Sequence, residues 1–290
     1  MPPTPSDFTK HIVAILQSVQ LLPDEAKSPI LHHHRTVEEI TGSLEYFAGL
    51  IGEGERHQAM VDKHFGLLRV MALVNLIESF ERFLKDVAAE CVDSLADLVV
   101  DDRFNTFPPV QGASLASHFH SGSVGRALCE SSIWLDCKEI NDRFRKLLAE
   151  PFKTGDFYLF PKEGNQQPVS DQWRYEVMSL IWQFRHTCVH NVGIITKSDA
   201  VKLKVLSKSQ VDAPRILVPS KTNILWLKLF LNETVEDCNQ RIGRRLGELL
   251  TTIHATTPAL VQPQPTADRL ANIFRLPLQV ACANGVVPSD

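Results

Sequence analysis

From about Glu55 to Leu98 the chain keeps apolar residues at helical spacing over one long stretch: Met60, Phe65, Leu68, Met71, Leu73, Val74, Leu76, Ile77, Phe80, Phe83, Leu84, Val87 and Cys91. In its middle the apolar surface is too wide for one partner helix, and a helix apolar over most of its circumference has to be buried between neighbours. The stretch is therefore expected to be the central member of a helical bundle, which places the chain in the all-α class.

With 290 residues, 44% of them hydrophobic and 22% charged, the chain can build one large domain or two small ones. A net charge of −4 argues against a protein that coats nucleic acid non-specifically, because such binding rests on phosphate neutralisation by clustered Lys and Arg. The cysteines at 91, 129, 137, 188, 238 and 282 lack CxxC spacing and read as reduced thiols rather than a disulfide framework or zinc knuckle, so a cytoplasmic setting is expected. The first residues carry no basic segment leading into an apolar stretch, and no apolar run reaches 18 residues. Neither a secretory signal nor a membrane span is expected.

Residues 1–55 read as an N-terminal helical extension. Ser6 or Asp7 caps a helix over about 8–21, a short unit follows near 24–30, and His32-His33-His34 reads as a solvated loop rather than a metal site. Thr36 and Glu39 fit a capping box that opens a helix to about Leu50, with Gly49, Gly52 and Gly54 as punctuation. The bundle proper is expected over 56–255, with a loop-rich insert at 101–170 that contains helices at about 124–133 and 136–149 and an aromatic loop around Phe157-Tyr158-Leu159-Phe160. Ser170 or Asp171 caps a helix over 171–191, ended near Gly193. Thr196 to Lys208 is a basic segment, Arg215 to Val218 reads as a short strand, and Ser220 caps a long helix to about His254. Residues 256–290 read as a weakly ordered tail apart from an amphipathic turn at 267–274.

The chemistry concentrates at the end of the 171–191 helix, in Trp182-Gln183-Phe184-Arg185-His186-Thr187-Cys188-Val189-His190-Asn191. A guanidinium neutralises a phosphodiester bidentately, and an imidazole can both take and give a proton near neutrality. At 100° per residue, Trp173, Val177, Leu180, Ile181, Phe184 and Cys188 form the expected core face. Tyr175, Met178, Trp182 and Val189 form a second apolar stripe that needs cover from a partner helix, and Ser179, Gln183, His186 and His190 are polar. Three readings compete. Arg185 pairs with a carboxylate such as Glu78 while the histidines are polar surface; or His186 and His190, one turn apart, bind a metal, although Thr187 stands where an HExxH motif needs Glu; or the cluster acts on a phosphodiester.

On the third reading the chain resembles the HEPN superfamily, all-α domains whose nuclease members carry R-x4-6-H at a helix end. Arg185 and His190 stand in that motif, His186 holds the polar position after the arginine, and Ala72 to Leu84, with Glu78 facing the motif helix, looks like the first helix of such domains. Asn or Asp is the more familiar residue after the arginine, and the resemblance covers about 56–255. It implies a homodimeric, metal-independent endoribonuclease without cofactor, often a toxin or defence effector with an antitoxin or regulatory partner. In it the RNA 2′-hydroxyl attacks the adjacent phosphate to leave a 2′,3′-cyclic phosphate and a 5′-hydroxyl, so DNA is not cut. His190 would transfer protons and Arg185 would stabilise the phosphorane, with His186, Asn191 and Glu78 in support. Lys197, Lys202, Lys204, Lys208, Arg215 and Lys221 are the basic residues nearest in sequence to guide RNA. The alternative is a non-catalytic HEPN module that binds RNA, a nucleotide or a protein partner.

Overall fold

A computed structural model describes residues 13–14, 28–51, 58–98, 102–108, 123–130, 134–149, 157–161, 172–257, 261 and 263–277. The fold is all-α. Its helices are α1 (Pro29–Ile51), α2 (Gln58–Leu95), α3 (Val124–Glu130), α4 (Cys137–Leu147), α5 (Gln172–His190), α6 (Lys197–Ser207), α7 (Lys221–Thr256) and α8 (Pro263–Phe274). A 3-10 turn at Asp102–Thr106 and a two-strand ribbon, β1 (Ile194–Ile195) with β2 (Arg215–Ile216), complete the described elements.

Helix α2 is the axis expected from its wide apolar surface. Leu76, Phe80, Leu84, Val87, Cys91 and Leu95 are fully buried, and α1, α3, α4, α5 and α7 all pack on it. Each large side chain so enclosed contributes about 1.5–3 kcal/mol. Helix α3 crosses α2 with its backbone almost in contact: a Cβ on Gly125 would lie 2.2 Å from the Ala89 carbonyl oxygen. Asp93 on α2 holds the start of α3 by accepting from Ser123 Oγ at 2.6 Å and from the Gly125 N–H at 2.7 Å. The aromatic loop is pinned in the same way. Asn141 Nδ2 donates to the Phe160 carbonyl at 2.6 Å and Asn141 Oδ1 accepts from the Phe160 N–H at 2.8 Å, which seats Leu159 and Phe160 in the core.

Several expectations need correction. The helix at 8–21 lies outside the described residues except for Val13 and Ala14, and the Ser170/Asp171 cap lies outside them entirely. The three histidines are not in a loop. Helix α1 begins at Pro29, whose missing N–H costs nothing at a helix start, and runs through His32-His33-His34. Successive residues then point 100° apart. His33 faces inward, 2% exposed, with Nδ1 hydrogen-bonded to Ser79 Oγ at 2.9 Å, while His34 reaches Glu236 at 2.9 Å on the outside. Thr36 is inside that helix and donates back to the His32 carbonyl, so it caps nothing, and α1 passes through Gly49.

The basic segment after Thr196 is a helix, α6, opened by a capping box between Thr196 and Asp199. The tail beyond 256 contains α8, which packs on α7 and α1 with Leu270 and Phe274 fully buried. Ile30 and Val37 from α1 and Leu270 and Phe274 from α8 belong to the same core as α2 and α7. Among the described residues no helix is long and apolar enough to cross a membrane.

Candidate functional site

Helix α5 packs against α2, and its buried face is wider than the one the sequence pattern indicates: Ile181 and Cys188 are buried as expected, and Val177, Leu180 and Phe184 are half-buried. Met178 and Trp182 are 0% and 6% exposed, and the Trp182 ring lies 6.0 Å from that of Phe80. They are core of this chain and not the outer stripe expected to meet a partner. Trp173, expected inside, is 46% exposed and meets only the edge of Phe230 among the described rings. Of the expected interface set, Tyr175 is half-buried and Val189 is exposed. The physical reason is that α5 is apolar on two sides, so periodicity alone leaves its rotation open.

This rotation turns Arg185 toward α2. Its Nη2 lies 3.5 Å from Glu78 Oε1, with the two side chains 17% and 46% exposed, and its Nε is buried without a hydrogen-bond partner. The ion pair is long and half open to solvent, so it holds the guanidinium in place without sealing it away.

Arg185, His186 and His190 all line one open cleft of about 510 Å³, together with Tyr175, Ser179, Gln183 and Lys202. Both histidines are exposed, and their ring centroids are 4.8 Å apart at 46°. Residues four apart share a helix face, which is why these two imidazoles meet. Among the described residues no three His, Cys, Asp or Glu side chains form a metal-ligand group.

The helix ends sharply beyond the histidines. The N–H groups of Asn191 and Gly193 both donate to the Thr187 carbonyl at 3.1 Å, and Val192 and Gly193 have φ of 51° and 77°. The left-handed step expected at Gly193 therefore begins one residue earlier, at Val192. It turns the chain into β1, which pairs with β2 through Ile194 opposite Ile216.

Asn191, expected beside the phosphate, points instead to α6. Its Nδ2 donates to Asp199 Oδ2 at 2.8 Å, and Gln183 Nε2 donates to Asp199 Oδ1 at 3.0 Å. Asp199 also accepts from the Thr196 N–H at 3.1 Å and from Thr196 Oγ1 at 2.8 Å. Burial alone would raise its pKa, but the hydrogen bonds from Thr196 and Asn191 and the charge of His186 outweigh it and hold the carboxyl below its usual value. The sequence reading missed Asp199, although Thr196-x-x-Asp199 is a capping-box pattern visible in the chain.

Of the six basic residues expected to guide RNA, Lys202 lines the cleft. Lys208 lies 3.9 Å from Glu176, and Arg215 4.0 Å from Asp212. Lys221 borders a separate apolar cavity with Leu44, Phe65 and Leu225. Lys197 and Lys204 are exposed on α6. Five described cysteines, at 91, 129, 137, 188 and 238, are buried and free, and burial pushes the Cys188 thiol up to about 11. No family model, no curated protein and no solved structure matches this chain.

Proposed function

We propose that this chain is a HEPN-type, metal-independent endoribonuclease acting in the cytoplasm, with Arg185 and His190 as its reacting pair. The observation that carries the reading is the grouping of one guanidinium and two exposed imidazoles on a single wall of one open cleft. In the reaction a base removes the proton of the RNA 2′-hydroxyl and O2′ bonds to the adjacent phosphorus. The P–O5′ bond then breaks and O5′ takes a proton, leaving a 2′,3′-cyclic phosphate and a 5′-hydroxyl with no net change in protons. His190 serves one of these transfers, worth about 10²–10⁴ in rate. Arg185 stabilises the charge on the phosphorane, worth about 10²–10³ by analogy with other oxyanion donors. Since O2′ is the nucleophile, DNA is not a substrate.

RNA is the partner, entering past Lys202. A second copy of the chain docks beside the motif through the exposed Val189, Val192 and Ile194, in place of the buried Trp182. An antitoxin or other regulatory protein fits a toxin or defence role.

The Glu78 pair favours a second reading, a non-catalytic module binding RNA, a nucleotide or a protein, because a neutralised guanidinium is a weaker catalyst than a free one. Purified protein incubated with RNA and EDTA separates the two. Cleavage with cyclic phosphate ends, lost in His190→Ala, supports the nuclease. RNA retained without cleavage by either protein supports the binding module, and cleavage that stops in EDTA overturns the metal-independent mechanism.

A further inference from the structure

We propose that Asp199 is the positioning residue of this site: its buried carboxylate accepts from Gln183 and Asn191 and so tethers α5 on both sides of the Arg185–His190 run. The inference rests on reading the cleft as a nuclease site.

Closing the capping box of α6 requires only Thr196, yet Asp199 also takes Gln183 and Asn191 from the neighbouring helix. These two residues bracket the motif, so one rigid acceptor sets where the last two turns of α5 sit relative to the cleft. A carboxylate only 2% exposed is costly unless its oxygens are filled, and four donors fill them.

Two substitutions test the tether. In Asp199→Ala it is lost. In Asp199→Asn the amides of Gln183 and Asn191 can turn to restore hydrogen bonds. With RNA as substrate, Asp199→Ala is expected to lose roughly 100-fold in kcat with KM little changed, as for misplaced reacting groups. Asp199→Asn is expected to recover most of that loss, keeping kcat within roughly tenfold of wild type, a rescue in kcat at constant KM that a merely structural role would not produce. Wild-type kcat in Asp199→Ala with only a lowered Tm, or a loss of kcat in Asp199→Asn as large as in Asp199→Ala, overturns the inference while leaving the nuclease intact. A wild-type protein that does not cleave RNA overturns the nuclease reading and this inference with it.

Discussion

Arg185 and Glu78 face each other 3.5 Å apart across the seam between α5 and α2, joining residues 107 positions apart in the chain. The carboxylate is half in solvent, so the pair lends little stability, and its main consequence is electrostatic: it sets the free positive charge at the cleft wall. Removing it should therefore change RNA binding more than folding. Glu78→Gln is expected to tighten RNA binding by up to about fivefold at low salt, the worth of an exposed pair of up to about 1 kcal/mol, with Tm nearly unchanged. Arg185→Ala should weaken binding. Titrations of a fluorescent RNA with both variants check this, and weaker binding by Glu78→Gln would show that the carboxylate orients Arg185 rather than competing for it.

His33 makes folding stability pH-dependent. Burial, followed by the nearby charge of His34, pushes its pKa down from 6.5 to about 4. The folded state thus disfavours the proton that the unfolded chain binds below 6.5. The stability attached to neutral His33 is complete above pH 6.5 and is lost as pH falls from there through about 4. Between pH 7.5 and pH 4 the loss is about 3 kcal/mol. Urea unfolding across this range should show a steeper decline for the wild type than for His33→Gln, and parallel curves would mean that Ser79 and water solvate the imidazolium.

The parts of this structure legible in the sequence are those where one residue class has one job. The apolar surface of α2 could only belong to a central helix, and Ser220 caps α7 as its position before a long apolar run indicates. Arg185, His186 and His190 share a wall because spacing on a helix dictates it. What stayed hidden depends on choices between equivalent faces or on distant partners. Helix α5 is apolar on two sides, and only the place of Phe80 on α2 selects Trp182 over Trp173 for the core. His33 is identical in kind to its neighbours, and the Ser79 hydroxyl that distinguishes it lies 46 residues away in the chain. Helix α6 has three lysines close together and little amphipathic contrast, so its capping box was the one available signal. Asp199 stayed hidden because its partners Gln183 and Asn191 lie on and just beyond another helix.

Val192 joins backbone strain to the question of self-association. It is 81% exposed, next to the motif, with φ of 51°, a conformation that a β-branched residue adopts at a cost of roughly 1–2 kcal/mol. Asparagine tolerates the left-handed region and ends helices there readily. Within one chain, Val192→Asn should therefore stabilise the fold by about 1 kcal/mol, visible as a higher Tm in dilute solution. If Val192, Val189 and Ile194 form the contact with a second copy, the same substitution places a polar amide in an apolar interface and should shift the protein toward monomer in sedimentation velocity. Opposite signs in the two measurements are the expected outcome. A higher Tm with no change in assembly would remove this face from the dimer, and a lower Tm would show that the turn requires the valine side chain for reasons other than strain.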